Sequence, residues 1–138
     1  MPFKEKIAWI SVVTTMLVWS GYFGFMLMTG GKLHGAVYFA GFIGAVIVQT
    51  VLMIVAATVT AVMALGDASA GSDERDKDIA RRAYALAYPV LIGLVICVAG
   101  SVHLGFDKID MAYAIMGAIV IAEIVHYAAQ IAGYRRGY

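Results

Sequence analysis

Long apolar runs alternate with short polar breaks along this chain. Crossing a bilayer as a helix takes about 20 mostly apolar residues. Four runs meet that length: residues 7–28, 35–65, 84–105 and 111–133. Three breaks separate them. Residues 29–34 (TGGKLH) are short and glycine-rich, and residues 106–110 (FDKID) read as a tight turn. Residues 66–82 (GDASAGSDERDKDIARR) form the longest break and hold most of the charge. The pattern predicts an all-α polytopic membrane protein. Its four transmembrane helices form one up-down antiparallel bundle over residues 1–138, with a polar loop at 66–83. The first run is longer than a signal-peptide core, and no small-residue cleavage site with a soluble domain follows it. It is therefore expected to stay as a span.

Composition supports the membrane reading. Hydrophobic residues make up 62% and charged residues 14% of the 138, and mean hydropathy is +0.86. Soluble domains hold about 45–50% apolar and about 25% charged residues. A soluble fold of this size has too little interior to hide so much apolar surface. The net charge of +1 gives no electrostatic case for a nucleic-acid partner. Cys97, the single cysteine, lies inside an apolar run and has no intramolecular disulfide partner.

Basic residues predict the orientation. Lys4, Lys6, Arg75, Lys77, Arg81, Arg82, Arg135 and Arg136 fall on one side of the four spans, eight of the ten lysines and arginines; Lys32 and Lys108 fall on the other. The positive-inside rule puts both termini and the 66–83 loop in the cytoplasm. The imbalance argues against dual topology. Trp9, Tyr84, Tyr88 and Tyr134 are expected near the cytoplasmic interface, and Tyr22, Phe23, Tyr38 and Phe106 near the other. At roughly 1.5 Å per residue, residues 35–65 reach about 46 Å against a hydrocarbon core of about 30 Å. The last two turns, around Thr58 to Leu65, are expected to project into the cytoplasm.

A second helix signal lies in the long break. Ser72 or Asp73 offers an N-cap, and Asp73, Glu74 and Asp76 suit the helix dipole in a first turn. Asp78 and Arg82 have the i,i+4 spacing of an ion pair. This helix is expected to run on into the third span, with Pro89 kinking it just inside the membrane. Small residues recur every fourth position at Ala36–Ala40–Gly44, Gly93–Cys97–Ser101 and Ala114–Ala118–Ala122. Ridges of this kind let helices approach closely in lipid.

Candidate chemistry concentrates in the fourth span. Glu123 lies near its middle, where a charge is costly and by default marks a functional site. His126 and Tyr127 share its face at i+3 and i+4, and Gln130 and Tyr134 continue the stripe. Gln49 of the second span and Ser11, Thr14 and Thr15 of the first fall at similar depth. The expected site is a buried polar cluster of Glu123, His126, Gln130, Gln49 and Thr15. It could fix helix register by hydrogen bonding, or exchange protons through a Glu–His pair. Glu-x-x-His is also half of a di-iron carboxylate motif, but such sites need further intramembrane carboxylates that this chain lacks. His34 and His103 read as interfacial residues. No nucleophilic triad, phosphate loop or zinc spacing appears. No enzymatic activity, cofactor or metal is expected.

Two motifs add a resemblance. Asp73, Glu74, Arg75, Asp76 and Ile79 spell D-E-R-D-x-x-I, and Tyr134, Arg135, Arg136 and Gly137 an aromatic-Arg-Arg-Gly ending. Over its C-terminal half the chain resembles a family of small bacterial inner-membrane proteins of unknown function. The resemblance implies four spans in the bacterial inner membrane and no assigned activity; some relatives are encoded beside helix-turn-helix regulators. Small multidrug exporters, with their glutamate on the first span, and fluoride channels, with inverted dimers, match less well. Asp73, Glu74, Arg75, Asp76, Arg135 and Arg136 are expected to meet as a cytoplasmic charge clasp of carboxylate–guanidinium pairs. The leading functional expectation is a non-enzymatic scaffold or accessory subunit, partnered in the bilayer by another protein or a second copy. The alternatives are a small transporter or channel subunit using the Glu–His pair, and a sensor acting through the 66–83 loop.

Overall fold

The computed structural model describes residues 3–30, 34–63 and 73–136. They form four long helices: α1 (Phe3–Thr29), α2 (Gly35–Met63), α3 (Glu74–Gly100) and α4 (Lys108–Arg136). All four are long and apolar enough to cross a membrane. The fold is all-α, as the hydropathy pattern predicts. The chain divides into two units, Met1–Gly71 and Ser72–Tyr138. Each is a helical hairpin, α1 against α2 and α3 against α4.

In the first hairpin one stripe of α1 is buried: Glu5, Ala8, Ser11, Thr15, Trp19 and Tyr22. Steps of three and four residues keep these positions on one helix face. The pairing with α2 is antiparallel. Tyr22 donates its hydroxyl to the Tyr38 carbonyl at 3.2 Å, Trp19 and Phe42 rings sit 5.5 Å apart, and Gln49 reaches Thr15 at 2.8 Å. The Tyr22 ring passes beside Gly41, 3.5 Å from where a Cβ would stand, an ordinary contact distance. The Ala36–Ala40–Gly44 ridge, expected to pack, is exposed instead. Larger side chains at Tyr38, Phe42 and Gln49 hold the α1 contact, on the opposite face of α2. The hairpin turn opens with Gly30 at φ +55°, a left-handed conformation that favours glycine. Lys32, whose side of the membrane would test the topology, lies outside the described residues.

The second hairpin begins where the charged break ends. Asp73 caps α3: its Oδ1 accepts from the Glu74 amide at 2.7 Å, and the Asp73 amide donates to Asp76 Oδ2 at 3.2 Å. This reciprocal box stabilises the helix start, with Glu74 and Asp76 at its positive end. Ser72, the other expected cap, lies outside the described residues. As expected, the helix passes without a break into the third apolar run and through Pro89. The ion pair at its surface differs by one residue from expectation: Asp78 meets Arg81 at 3.9 Å.

Helix α3 ends in a single 3₁₀ turn at Ser101–Leu104. Gly105, at φ +82°, reverses the chain, and its amide donates to the Val102 carbonyl at 3.2 Å. Asp107 Oδ1 then accepts from the Lys108 amide at 2.6 Å and starts α4. The two helices meet along Ile79, Ala83 and Ala87 of α3 and Ala118, Ala122 and His126 of α4, all buried. Two members of the expected α4 ridge, Ala118 and Ala122, thus pack as small residues should. On α3 the packing stripe is not Gly93–Cys97–Ser101; Gly93 and Cys97 are exposed. The closest approach is at the open end of this hairpin. A Cβ on Gly133 would lie 2.8 Å from Ile79 Cγ2.

Candidate functional site

Of the expected polar cluster, Thr15 and Gln49 form a hydrogen-bonded pair in the first hairpin, and His126 and Gln130 form one in the second. In the first, Gln49 Nε2 donates to Thr15 Oγ1 at 2.8 Å. Thr15 is 1% exposed, and Gln49 Oε1 is buried with no hydrogen-bond partner among the described residues. The neighbouring hydroxyls turn back onto their own helix, Ser11 donating to the Ile7 carbonyl at 2.9 Å and Thr14 to the Ile10 carbonyl at 2.7 Å, and Thr14 also meets Met53 Sδ of α2 at 3.4 Å. Such back-bonds satisfy a hydroxyl in an apolar setting without a second helix.

In the second hairpin, Gln130 Nε2 lies 2.9 Å from His126 Nε2, one turn away on α4. The amide nitrogen only donates, so the ring nitrogen accepts. The other ring nitrogen, Nδ1, is buried with no hydrogen-bond partner among the described residues. The Tyr84 ring of α3 covers the imidazole, with centroids 4.1 Å apart, and Tyr127 meets it edge-on at 5.1 Å. His126 is 7% exposed. It is the central polar residue of the hairpin.

Glu123 behaves differently. It lies midway along α4, between Lys108 and Arg136, and it is exposed. It stands in a groove of about 290 Å³ between α3 and α4. Tyr84, Tyr88, Tyr127 and His126 line that groove beside it, and Leu91 and Ile119 supply apolar wall. No ion pair to Glu123 is described. The sequence predicted Glu123 and His126 together on one α4 face, and the groove shows them there. Hydropathy alone did not reveal the tyrosines as their neighbours, because Tyr84 and Tyr88 read as interface anchors. Their i,i+4 spacing on α3 was the available signal.

At the open end of the hairpin, the D-E-R-D helix start and the tail of α4 meet. The Tyr134 hydroxyl donates to Asp76 Oδ1 at 3.1 Å, and the Arg75 guanidinium reaches the Tyr134 carbonyl at a long 3.5 Å. The expected clasp residues divide around this contact. Asp73 and Asp76 cap α3, while Glu74 and Arg135 are exposed. Arg136 lines a groove of about 150 Å³ that Arg82 and Ile79 also border. The Tyr134–Asp76 and Arg75–Tyr134 bonds tie the start of α3 to the end of α4. Gly137 lies outside the described residues.

His34 and His103 are both exposed. Among the described residues there is no group of three His, Cys, Asp or Glu side chains placed to hold a metal ion. Buried Glu5, adjoining the expected start of the first span, was missed because Lys4 and Lys6 flank it and make it read as interfacial. Comparison with protein-family models, curated proteins and solved structures found no match. The resemblance through the D-E-R-D and aromatic-Arg-Arg-Gly motifs therefore rests on those residues alone.

Proposed function

We propose that this chain is a non-enzymatic, multi-pass membrane protein that binds a small ligand from within the bilayer, as a small transporter or channel subunit does. The observation that carries this reading is Glu123, exposed halfway along an apolar helix. A charged side chain at the bilayer centre costs about 2.5–3.5 kcal/mol on insertion scales, and more where lipid cannot deform around it. A carboxylate held there in a groove has use for a ligand. The tyrosines and His126 around it offer aromatic faces and polar edges together, as ligand sites commonly do. The basic residues flanking the spans and the motif resemblance support the bacterial inner membrane, with both termini cytoplasmic.

A photoreactive benzoylphenylalanine at position 88 tests the reading in cells. Adducts confined to lipid or small molecules are expected. A discrete protein adduct would mean that another chain fills the groove, and the scaffold reading would replace this one.

A second reading, the scaffold or accessory subunit, draws on α2. None of the residues in its most apolar stretch is buried. Its exposed Ala36–Ala40–Gly44 ridge has the form of a helix-packing surface for a second copy. Cysteine crosslinking at position 40 tests it: a disulfide-linked dimer supports self-association, and a monomer at bilayer dilution opposes it.

A further inference from the structure

The groove on the α3–α4 hairpin has chemistry specific enough to name its ligand class. Among the described residues Glu123 is the only carboxylate that lines it, and no lysine or arginine does. The Nε2 of the adjoining imidazole is engaged by Gln130 at 2.9 Å. Three tyrosines border the same space, and Tyr84 and Tyr88 are each 65% exposed. Aromatic faces attract cations through the ring quadrupole, most strongly where water is excluded. Leu91, Ile119 and Ala122 add apolar wall.

This combination separates the candidate cations. An inorganic ion needs several oxygen or nitrogen ligands to replace its hydration shell. One carboxylate with an imidazole whose accepting nitrogen is already engaged does not supply them. An organic ammonium keeps its charge spread over apolar groups and is satisfied by aromatic faces and one counter-charge. We propose that the groove binds a lipophilic organic cation, a quaternary or protonated amine carrying an aromatic or short alkyl group. Its charge sits between Glu123 and the Tyr84 and Tyr88 rings, and its apolar part lies against Leu91 and Ile119. The proposal rests on the ligand-binding reading above and names the ligand class for that site.

The test uses the full chain in lipid nanodiscs, with benzyltrimethylammonium as the probe and its uncharged carbon isostere neopentylbenzene as control. Binding is read by ligand-observed saturation-transfer NMR. The charged probe is expected to bind the wild type, and the isostere to show only the partitioning seen in empty nanodiscs. Glu123→Gln should weaken the probe by roughly tenfold, the loss expected for one charged partner. Tyr84→Leu with Tyr88→Leu should weaken it while leaving Glu123 in place. Tyr88→Leu alone, which keeps the Tyr84 stack on His126, guards against misfolding of the double variant. Equal binding of the two probes, or binding unaffected by Glu123→Gln, overturns the proposal. The photocrosslink at position 88 distinguishes the two levels. With no protein adduct there and no binding of the charged probe, the cation proposal fails and the ligand-binding reading stands. With a protein adduct, both fail.

Discussion

Tyr84 of α3 stacks on His126 of α4 at a centroid distance of 4.1 Å, and this contact closes one side of the groove in which Glu123 stands. It joins the two helices beside the carboxylate, on a ring that Gln130 holds from the other direction. Tyr84→Leu should therefore loosen His126 and weaken the hairpin by about 0.5–1.5 kcal/mol, the typical worth of an aromatic pair beyond its area. Tyr84→Phe should retain the stack. Thermal unfolding of both variants in one detergent checks this; equal losses would mean that the hydroxyl, not the ring, matters.

The approach of α3 to α4 depends on Gly133. Its missing Cβ leaves room for Ile79, which is 2% exposed and β-branched at the point of contact. Gly133→Ala gains up to about 1 kcal/mol in helix propensity but forces an overlap of the kind that costs about 1–3 kcal/mol. Net destabilisation of roughly 1 kcal/mol is expected, and Ile79→Ala in the same chain should remove the clash. A double-mutant cycle in urea or detergent unfolding measures it, and additive losses would contradict it.

Asp76 has two roles, closing the capping box and accepting from Tyr134. Asp76→Ala removes both, whereas Tyr134→Phe removes one. Loss of a helix cap costs about 0.5–2 kcal/mol, and loss of a typical hydrogen bond about 0.5–1.5 kcal/mol. Asp76→Ala should thus destabilise the hairpin more than Tyr134→Phe. Amide hydrogen exchange at residues 74–77 should speed up in Asp76→Ala and change little in Tyr134→Phe.

The Thr15–Gln49 pair is one polar link between α1 and α2. Interhelical hydrogen bonds in membranes average about 0.6 kcal/mol and reach at most about 1.7. Coupling within that range is expected between Thr15→Val and Gln49→Leu. Zero coupling would show that the pair contributes nothing to the contact between α1 and α2.

Much of this was legible along the chain because its signals are local. Apolar length gave the four helices, and Asp73 with Asp76 gave the start of α3, since a cap acts within one turn. The packing faces were not legible. Glycine and alanine recur on several faces of α2 and α3, so a four-residue ridge does not say which face meets a neighbour. On α2 the contact uses Tyr38, Phe42 and Gln49, while Ala36, Ala40 and Gly44 stay exposed. Long-range partners were hidden for the same reason. Glu123 and His126 share a face by helix geometry alone, but the stack of Tyr84 on His126 joins residues far apart in sequence. Charge counting pointed to Arg135 and Arg136 at the D-E-R-D start and gave no hint of the bond from the Tyr134 hydroxyl to Asp76.

The central claim is that Glu123 stands open in an apolar groove within the bilayer. The most direct measurement is modification of the native residue by dicyclohexylcarbodiimide in proteoliposomes, mapped by peptide mass spectrometry. This lipid-soluble reagent modifies carboxyl groups that it can reach from the hydrocarbon. The account predicts modification at Glu123 ahead of Glu74, a water-exposed carboxylate. A Glu123 that stays unmodified in the bilayer, yet reacts once the chain is unfolded in organic solvent, would show the carboxyl enclosed by protein and would contradict it.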